Sequence, residues 1–246
     1  MSAKTKIDYV DATWNPVTGC SPCSPGCENC FARRMVARFH GKKGWPDDFR
    51  PRTWPERLTQ PAEWKTPKTI FVSDMGDLFH DNVPLPFIKS VFDVMRQNCR
   101  HCCLVLTKRA LRMRAFDEYS SAFGYPWPPN VWAGVSVDGL IGEDHRIENL
   151  HHVTAPIRFI SFEPLIGHYP MNAIDPCGIG WIIVGGETGP GARPMDINWV
   201  RQIRDWCLRW GIPFWFKSWG TGSEFRGDEL DGDRWKQKPT TLDISR

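Results

Sequence analysis

Apolar residues recur in six short runs between residues 69 and 220, separated by polar or glycine-rich segments. The runs are 69–75, 102–108, 131–137, 157–165, 180–187 and 213–220. Each run is apolar at successive positions instead of alternating, as expected of parallel strands that are covered on both faces. The segment ATWNP at 12–16 adds a first strand, so the pattern predicts about six to seven parallel strands.

Amphipathic segments lie between these runs, at 86–98, 109–123, 140–152 and 195–210. Gly211 follows the last of them, and glycine in that position is a strong helix stop. The alternation of strands and helices is typical of an α/β protein with a parallel sheet. We therefore predict an open or partial (β/α) barrel, which suits this strand count better than two domains do.

Two segments fall outside this alternation. Residues 41–67 contain three tryptophans and five prolines, which predicts an ordered insert with little regular structure. Residues 221–246 are polar and lack periodicity, so they are predicted to form a C-terminal surface extension. The expected organisation is a single (β/α) domain over residues 1–220 followed by this extension.

Polar side chains cluster at the ends of the predicted strands. Because the carboxyl ends of parallel strands form one rim, these side chains are expected to converge there. A single charged residue after a strand is more often a helix cap or a loop ion pair, but the repetition along the chain favours a site. The candidates are Ser73, Asp74, Met75, Gly76, Asp77, His80, Lys108, Arg109, Ser136, Glu163, Glu187 and Lys217.

The composition limits the compartment and the partners. The net charge of +3 is too small an excess to argue for nucleic acid or a membrane. No apolar run reaches membrane-spanning length and the start lacks the apolar core of a signal peptide, so we expect a cytoplasmic protein without membrane contact. A basic cluster at Arg33, Arg34, Arg38, Lys42 and Lys43 is interpreted first as a solvated helix face running into a loop.

The segment TGCSPCSPGCENC contains Cys20, Cys23, Cys27 and Cys30 in the spacing C-x2-C-x3-C-x2-C. In a reducing compartment, dense cysteines indicate metal binding or catalysis before disulfides. The short gap between the two C-x2-C pairs is tight for a zinc site, whereas iron–sulfur clusters accept such spacing. The last three cysteines also match C-x3-C-x2-C, the signature of radical S-adenosylmethionine (SAM) enzymes.

Several motifs, in a fixed order, resemble one known family. They are TWNPVTGC, SPGCENCFARRM, VSDMGDLFHDNVP, LTKRALRM, VWAGVSV, RFISFEPLIG, WIIVGGETGPGARPM and PFWFKSWG, from about residue 11 to residue 220. Together they resemble the phage-associated three-cysteine-motif family, radical SAM-like proteins whose biochemical role is not established. The resemblance implies a partial or open (β/α) barrel of the radical SAM type, a [4Fe–4S] cluster, SAM on its open iron and an external electron donor. Some members of that family occur beside a separate partner protein.

The family pattern G-C-x6-C-x2-C implies Cys20, Cys27 and Cys30 as cluster ligands and leaves Cys23 as an additional thiol. A fourth thiolate from Cys23 would close the cluster to SAM. By position in the barrel, the resemblance implies a SAM-binding set and a set that takes part in catalysis. The SAM-binding set is Ser73, Asp74, Met75, Gly76, Asp77, Lys108, Ser136 and Glu163. The catalytic set is Asp74, Asp77, Lys108, Glu163, Glu187 and Lys217.

The implied reaction is reductive cleavage of SAM followed by hydrogen abstraction from a substrate that the sequence does not identify. Nucleic acid or a nucleotide is one candidate substrate. A competing interpretation is a non-catalytic protein, stabilised by zinc or by a cluster, that binds nucleic acid or a partner protein. A third, a hydrolase that uses Asp74, His80 and Glu163, leaves the cysteines unexplained.

Overall fold

The computed structural model describes residues 5, 7–42, 45–46, 48–140 and 142–240. Lys43 of the basic cluster, residues 44 and 47 of the insert and residues 241–246 of the extension lie outside the described residues. The strands are β1 (Ala12–Trp14), β2 (Val17–Thr18), β3 (Arg52–Thr53), β4 (Thr69–Val72), β5 (Cys102–Thr107), β6 (Val131–Ser136), β7 (Arg158–Phe162), β8 (Ile179–Gly185), β9 (Phe214–Ser218), β10 (Glu229–Leu230) and β11 (Asp233–Arg234). The helices are α1 (Phe31–Phe39), α2 (Gln60–Glu63), α3 (Leu85–Gln97), α4 (Ala110–Ala122), α5 (Asp144–His151) and α6 (Ile197–Trp210).

Seven strands form one parallel sheet in the order β1-β4-β5-β6-β7-β8-β9. The sheet curls into a half-barrel surrounded by helices, which confirms the predicted partial (β/α) barrel. Trp14 pairs with Val72 and Ser136 pairs with Ser161, so neighbouring strands reach the same rim. The other strands form short antiparallel pairs, β2 with β3 and β10 with β11.

Local signals account for both boundaries of α6. The Asp196 carboxylate accepts a hydrogen bond of 2.7 Å from the backbone nitrogen of Asn198, which caps the start of α6. The helix stops at Gly211, whose φ of +65° lies in the left-handed region that glycine adopts without strain. None of the helices formed by the described residues is long and apolar enough to cross a membrane.

The core has two layers, one on each side of the sheet. On the convex side, strand residues such as Val72 and Ile182 pack against the helices. On the concave side, a second cluster fills the half-barrel below the rim and consists mainly of rings. Its members include Tyr9, Phe71, Leu104, Trp132, Phe159, Trp181, Ile183 and Trp215. Successive residues of one strand enter opposite layers, which explains why the strands are apolar throughout.

The predicted C-terminal extension packs along β9 over its described part. The backbone nitrogen of Phe216 donates to the Trp235 carbonyl at 2.8 Å, and the indole of Trp181 donates to the Gln237 carbonyl at 2.9 Å. Leu230 is fully buried. Because β9 is the last strand of the sheet, this segment covers an edge that would otherwise expose unpaired backbone groups.

Candidate functional site

A loop that carries the four cysteines, residues 19–30 (the cysteine loop), lies against the carboxyl ends of the strands. Its first residue, Gly19, pairs with Gly76 and donates to the Met75 carbonyl at 2.8 Å, just beyond β4. Its middle, Gly26, donates to the Asp138 carboxylate at 2.8 Å, just beyond β6. The loop therefore contacts the rim at two well-separated strands.

Two neighbouring thiols in the loop differ in protonation. The Cys23 thiol donates a hydrogen bond to the Cys27 sulfur, and this contact is the main reason that the pKa of Cys27 falls from 9.0 to about 4. Burial opposes the shift, while Ser24 and the positive charge of Lys108 support it. The same hydrogen bond raises the pKa of Cys23. Cys27 is therefore a thiolate at neutral pH, with a protonated thiol beside it.

Cys20 is held by a buried ion pair. The Arg109 guanidinium lies 3.4 Å from the Cys20 sulfur and 3.0 Å from a carboxylate oxygen of Asp77. Burial, followed by the charge of Asp77, raises the pKa of Cys20 to about 11 although Arg109 opposes the change. Asp77 also accepts hydrogen bonds from the Thr107 hydroxyl at 2.7 Å and the Phe79 amide at 2.9 Å. Asp77 thus positions Arg109 against the first cysteine.

Lys108 and Asp138 attach the middle of the loop to the rim. They form a close ion pair in which the Asp138 side chain is fully buried, and the Lys108 ammonium lies 3.0 Å from the Ser24 hydroxyl. Burial disfavours the Asp138 carboxylate, but Lys108 and the other donors outweigh it and lower its pKa. A methyl group on Gly26 would overlap the Asp138 carboxyl group, so the close approach requires glycine.

Glu187 attaches the far end of the loop. Its buried carboxylate pairs with Arg193 at 2.5 Å and accepts from the Asn29 amide at 2.9 Å. Arg193 also donates to the Pro25 carbonyl at 2.9 Å and pairs with Glu28 at 3.2 Å. Burial opposes ionisation of Glu187, but the hydrogen bonds from Arg193 and Asn29 prevail and lower its pKa. Glu187, two positions after the end of β8, therefore fixes the turn that precedes the last cysteine.

The segment after β4 contains a strained residue. Ser73 is buried with a φ of +61°, and its hydroxyl forms no hydrogen bond within the described chain. The next residue, Asp74, accepts from the Asn15 amide at 2.6 Å, and burial raises the pKa of the Asp74 carboxyl group. Left-handed backbone at a non-glycine residue and an unpartnered buried hydroxyl are features that cluster at ligand sites.

Glu163 is the centre of a hydrogen-bond network in the mouth of the half-barrel. One carboxylate oxygen pairs with the Lys217 ammonium at 2.6 Å, and the other accepts from Ser161 at 3.1 Å and Tyr9 at 3.2 Å. The Ser136 hydroxyl donates to the Glu163 carbonyl at 3.0 Å. Burial and then the charge of Glu163 raise the pKa of Tyr9. The Lys217 side chain is 35% exposed, so this pair remains accessible from outside.

Six of the predicted rim residues fall into two groups. Asp77, Lys108 and Glu187 are engaged in holding the cysteine loop, directly or through an arginine. Ser136, Glu163 and Lys217 share the network in the mouth. His80, one of the predicted rim residues, lies 2.8 Å from the Ser21 hydroxyl, and burial followed by Arg109 lowers its pKa. Met75 and Gly76 contribute backbone contacts to Gly19.

The cysteine side chains form no disulfide among themselves. Within the described chain, no three His, Cys, Asp or Glu side chains are gathered into a group that could hold a metal ion. Cys23 and Cys27 are adjacent, whereas Cys30 precedes α1 and its carbonyl accepts from the Arg34 amide at 3.1 Å. Thiolates are the donors that iron–sulfur clusters and zinc require, so the residue types fit either group.

The interpretation of the sequence missed several residues of the site, among them Tyr9, Asp138 and Arg193. Asp138 follows β6 by two residues, so the rule applied to the other strand ends would have found it. Tyr9 and Arg193 have no comparable signal. Tyr9 is 154 positions away from Glu163, and such a contact is visible only after folding.

A family model described as a protein of unknown function (DUF5131) matches residues 4–239 of the chain. No curated protein and no solved structure matches it. The family description assigns no activity, so only the chemistry of the site indicates a function.

Proposed function

We propose that this chain, which belongs to the DUF5131 family, is a radical SAM-type iron–sulfur protein. The observation that carries the proposal is the position of the cysteine loop at the carboxyl-end rim of a parallel half-barrel. This is the end at which such folds bind cofactors and substrates. The resemblance of its motifs to those of the phage-associated three-cysteine-motif proteins supports the same chemistry.

The surroundings of the loop suit a negatively charged cluster. Cys27 is already a thiolate, so one ligand needs no further proton loss near neutral pH. The cations Arg109 and Lys108 lie beside the loop and offset the negative charge of thiolates and sulfides. We assign Cys20, Cys27 and Cys30 as the ligands. Cys23 remains the neighbouring thiol that can donate a hydrogen bond to the Cys27 sulfur.

Cys20, Cys27 and Cys30 would hold the cluster, which when bound and reduced would supply the electron for cleavage of SAM and so allow hydrogen abstraction from a substrate. In this proposal the strained segment from Ser73 to Asp77 binds SAM, since the Ser73 hydroxyl lacks a partner within the described chain. The Glu163–Lys217 pair orients a substrate at the mouth. The ring cluster beneath it closes the half-barrel to water from below.

The test is an iron and sulfide count on anaerobically prepared and reconstituted protein. We expect about four irons and four sulfides per chain. One zinc and no iron would overturn the proposal and favour the non-catalytic binding protein. If the cluster forms but reduction in the presence of SAM releases no 5′-deoxyadenosine, the catalytic part fails and the cluster assignment stands.

Single cysteine variants test the ligand assignment. Cys20→Ala should lose most of its iron, whereas Cys23→Ala should keep it because a spare thiol holds no iron. Cys177→Ala is the matched control, since Cys177 is an exposed free cysteine outside the loop. Full iron in Cys20→Ala together with loss of iron in Cys23→Ala would reverse the assignment.

A further inference from the structure

We propose that single-stranded nucleic acid binds along a basic aromatic face beside the cysteine loop. This face consists of Arg33, Arg38, Lys42, Phe31, Phe39, Trp45 and Phe49. The proposal rests on the proposed function, because it names the substrate class for the same site. It adds a partner that the small net charge of the chain does not indicate.

The charge of this face is one-sided. Residues 31–42 include three arginines and a lysine and no aspartate or glutamate. Among the described residues, none of the ion pairs involves Arg33, Arg38 or Lys42. The nearby Arg50 and Arg52, by contrast, both pair with Asp48. The positive charge of α1 is therefore available to an external polyanion.

Aromatic rings are interleaved with these cations. The Arg33 guanidinium lies 5.7 Å from the centre of the Phe49 ring, and the Lys42 ammonium lies 5.1 Å from the Phe39 ring. Phe39 also stacks against Trp45 at 4.7 Å between ring centres. Cations interleaved with partly exposed rings are an arrangement that binds single strands, because phosphates meet the charges and bases stack on the rings. A helix face that is merely solvated would carry charges but would not require aromatic rings between them.

The face is continuous with the cysteine loop. Phe31 directly follows the last cysteine and its side chain is 52% exposed. The Phe49 carbonyl accepts from the Cys20 amide at 3.0 Å, so the ring under Arg33 is attached to the start of the loop. Arg34, on the same helix, reaches the Thr188 hydroxyl at 3.3 Å beyond β8. A strand bound here passes next to the rim.

A single strand fits this position better than a duplex. Enzymes that act on a base either take single-stranded substrates or turn the base out of the helix, because the reacting atoms are inaccessible within the stack. The mouth with Glu163 and Lys217 lies inside the curled sheet. The exposed ring of Phe31 offers a stacking surface between the basic face and the loop.

The experiment measures binding of a fluorescein-labelled oligothymidylate of about 16 nucleotides by anisotropy, over a series of salt concentrations. The triple variant Arg33→Gln/Arg38→Gln/Lys42→Gln removes three charges from the face. Each lost phosphate contact reduces the salt slope by about 0.7, so the slope should fall by about 2 and the affinity at 0.1 M salt by about a hundredfold. Phe31→Ala should weaken binding about fivefold or more without changing the slope.

The matched control is Lys89→Gln/Arg114→Gln/Arg201→Gln, which removes the same number of charges from α3, α4 and α6, where each is already ion-paired. It should keep most of the affinity. Absence of salt-dependent binding by the wild type, or an equal loss in both triple variants, would overturn the proposal. A preference for duplex over single strand would also contradict it.

The outcome is independent of the cluster test. The binding measurements are made on full-length protein both as purified and after reconstitution, with thermal unfolding used to check that each variant is folded. Loss of nucleic-acid binding with normal iron content would reject this inference and leave the proposed function intact. Normal nucleic-acid binding by a protein that takes up no iron would reject the proposed function and leave this inference intact.

Discussion

Cys23 and Cys27 are close in sequence and in space, yet the structure gives them opposite protonation preferences. The donated hydrogen bond stabilises the Cys27 thiolate and keeps the proton on Cys23. Sequence spacing treats the four cysteines of the loop as equivalent donors. The contacts distinguish them, because Cys20 lies beside a guanidinium and Cys30 lies at the start of a helix.

Alkylation of Cys27 in metal-free protein tests this difference. With a pKa of about 4, Cys27 is a thiolate throughout pH 5–8, so its reaction rate with iodoacetamide should be nearly flat over that range. In the urea-unfolded chain, with the ordinary value of 9.0, the rate should rise about tenfold per pH unit. Peptide mapping by mass spectrometry measures the fraction of Cys27 that is alkylated.

The Cys23→Ala variant tests whether the hydrogen bond from Cys23 is what lowers the pKa of Cys27. Removal of the hydrogen-bond donor should raise the pKa of Cys27 and restore a pH-dependent rate. If the alkylation rate of Cys27 in the folded wild type rose tenfold per pH unit, the inference that the fold stabilises the Cys27 thiolate would be wrong.

At the scale of elements, the cysteine loop is attached to the sheet at three places. Asp77 pairs with Arg109, which lies beside Cys20. Asp138 pairs with Lys108 and accepts a hydrogen bond from Gly26. Glu187 pairs with Arg193 and accepts a hydrogen bond from Asn29. The three carboxylates lie a few residues beyond the carboxyl ends of β4, β6 and β8. These charged residues at the rim therefore have a structural role, which is to hold the cysteine loop against the sheet.

Asp138→Asn should loosen the middle attachment. The variant leaves the Lys108 ammonium without its buried counter-charge, so we expect a loss of about 3 kcal/mol in the free energy of unfolding at pH 7. Urea unfolding measures the loss, and limited proteolysis should cut the cysteine loop faster. Because the folded state lowers the pKa of Asp138, its contribution is fully present above the ordinary value of 3.8 and is lost as pH falls from 3.8 through the lowered pKa of the folded state.

Glu118→Gln provides the comparison, because its pair with Arg114 is exposed on α4 and should contribute little. Wild-type stability and wild-type protease resistance in Asp138→Asn would show that the loop does not depend on this ion pair.

At the scale of the whole molecule, the half-barrel is closed from within by rings and along its last strand by the chain's own C-terminal segment. Trp181 contacts Tyr9, Trp132, Phe159 and Trp215 with ring centres 5.6 to 6.2 Å apart. Its indole nitrogen also binds the segment that covers β9. Trp181 therefore links the inner layer, the sheet edge and the mouth.

Trp181→Ala should destabilise the whole domain. The side chain is 1% exposed, and a cavity of that size in a ring cluster is expected to lower the free energy of unfolding by about 3 to 5 kcal/mol. Trp210→Ala is the matched control, because Trp210 is 53% exposed and its loss should change stability by about 0.5 kcal/mol or less. Equal urea midpoints for the two variants would contradict a structural role for the inner layer.

The sequence by itself determined the order and type of the main elements. Apolar runs predicted the seven parallel strands, and periodicity with stop signals predicted α3 to α6 to within a few residues, because these features depend on local geometry. It also indicated that polar strand ends share a rim, since parallel strands end on one side. The partial barrel followed from this order.

The tertiary structure alone decided what each polar residue contacts. Asn29 binds Glu187 across 158 positions and Tyr9 binds Glu163 across 154, and no local pattern encodes such pairs. The same holds for the basic cluster, which the sequence presented as a solvated face and in which folding brings Arg33 against the ring of Phe49. Local sequence specifies backbone geometry, whereas ion pairs and ring contacts form only when distant segments are brought together by packing.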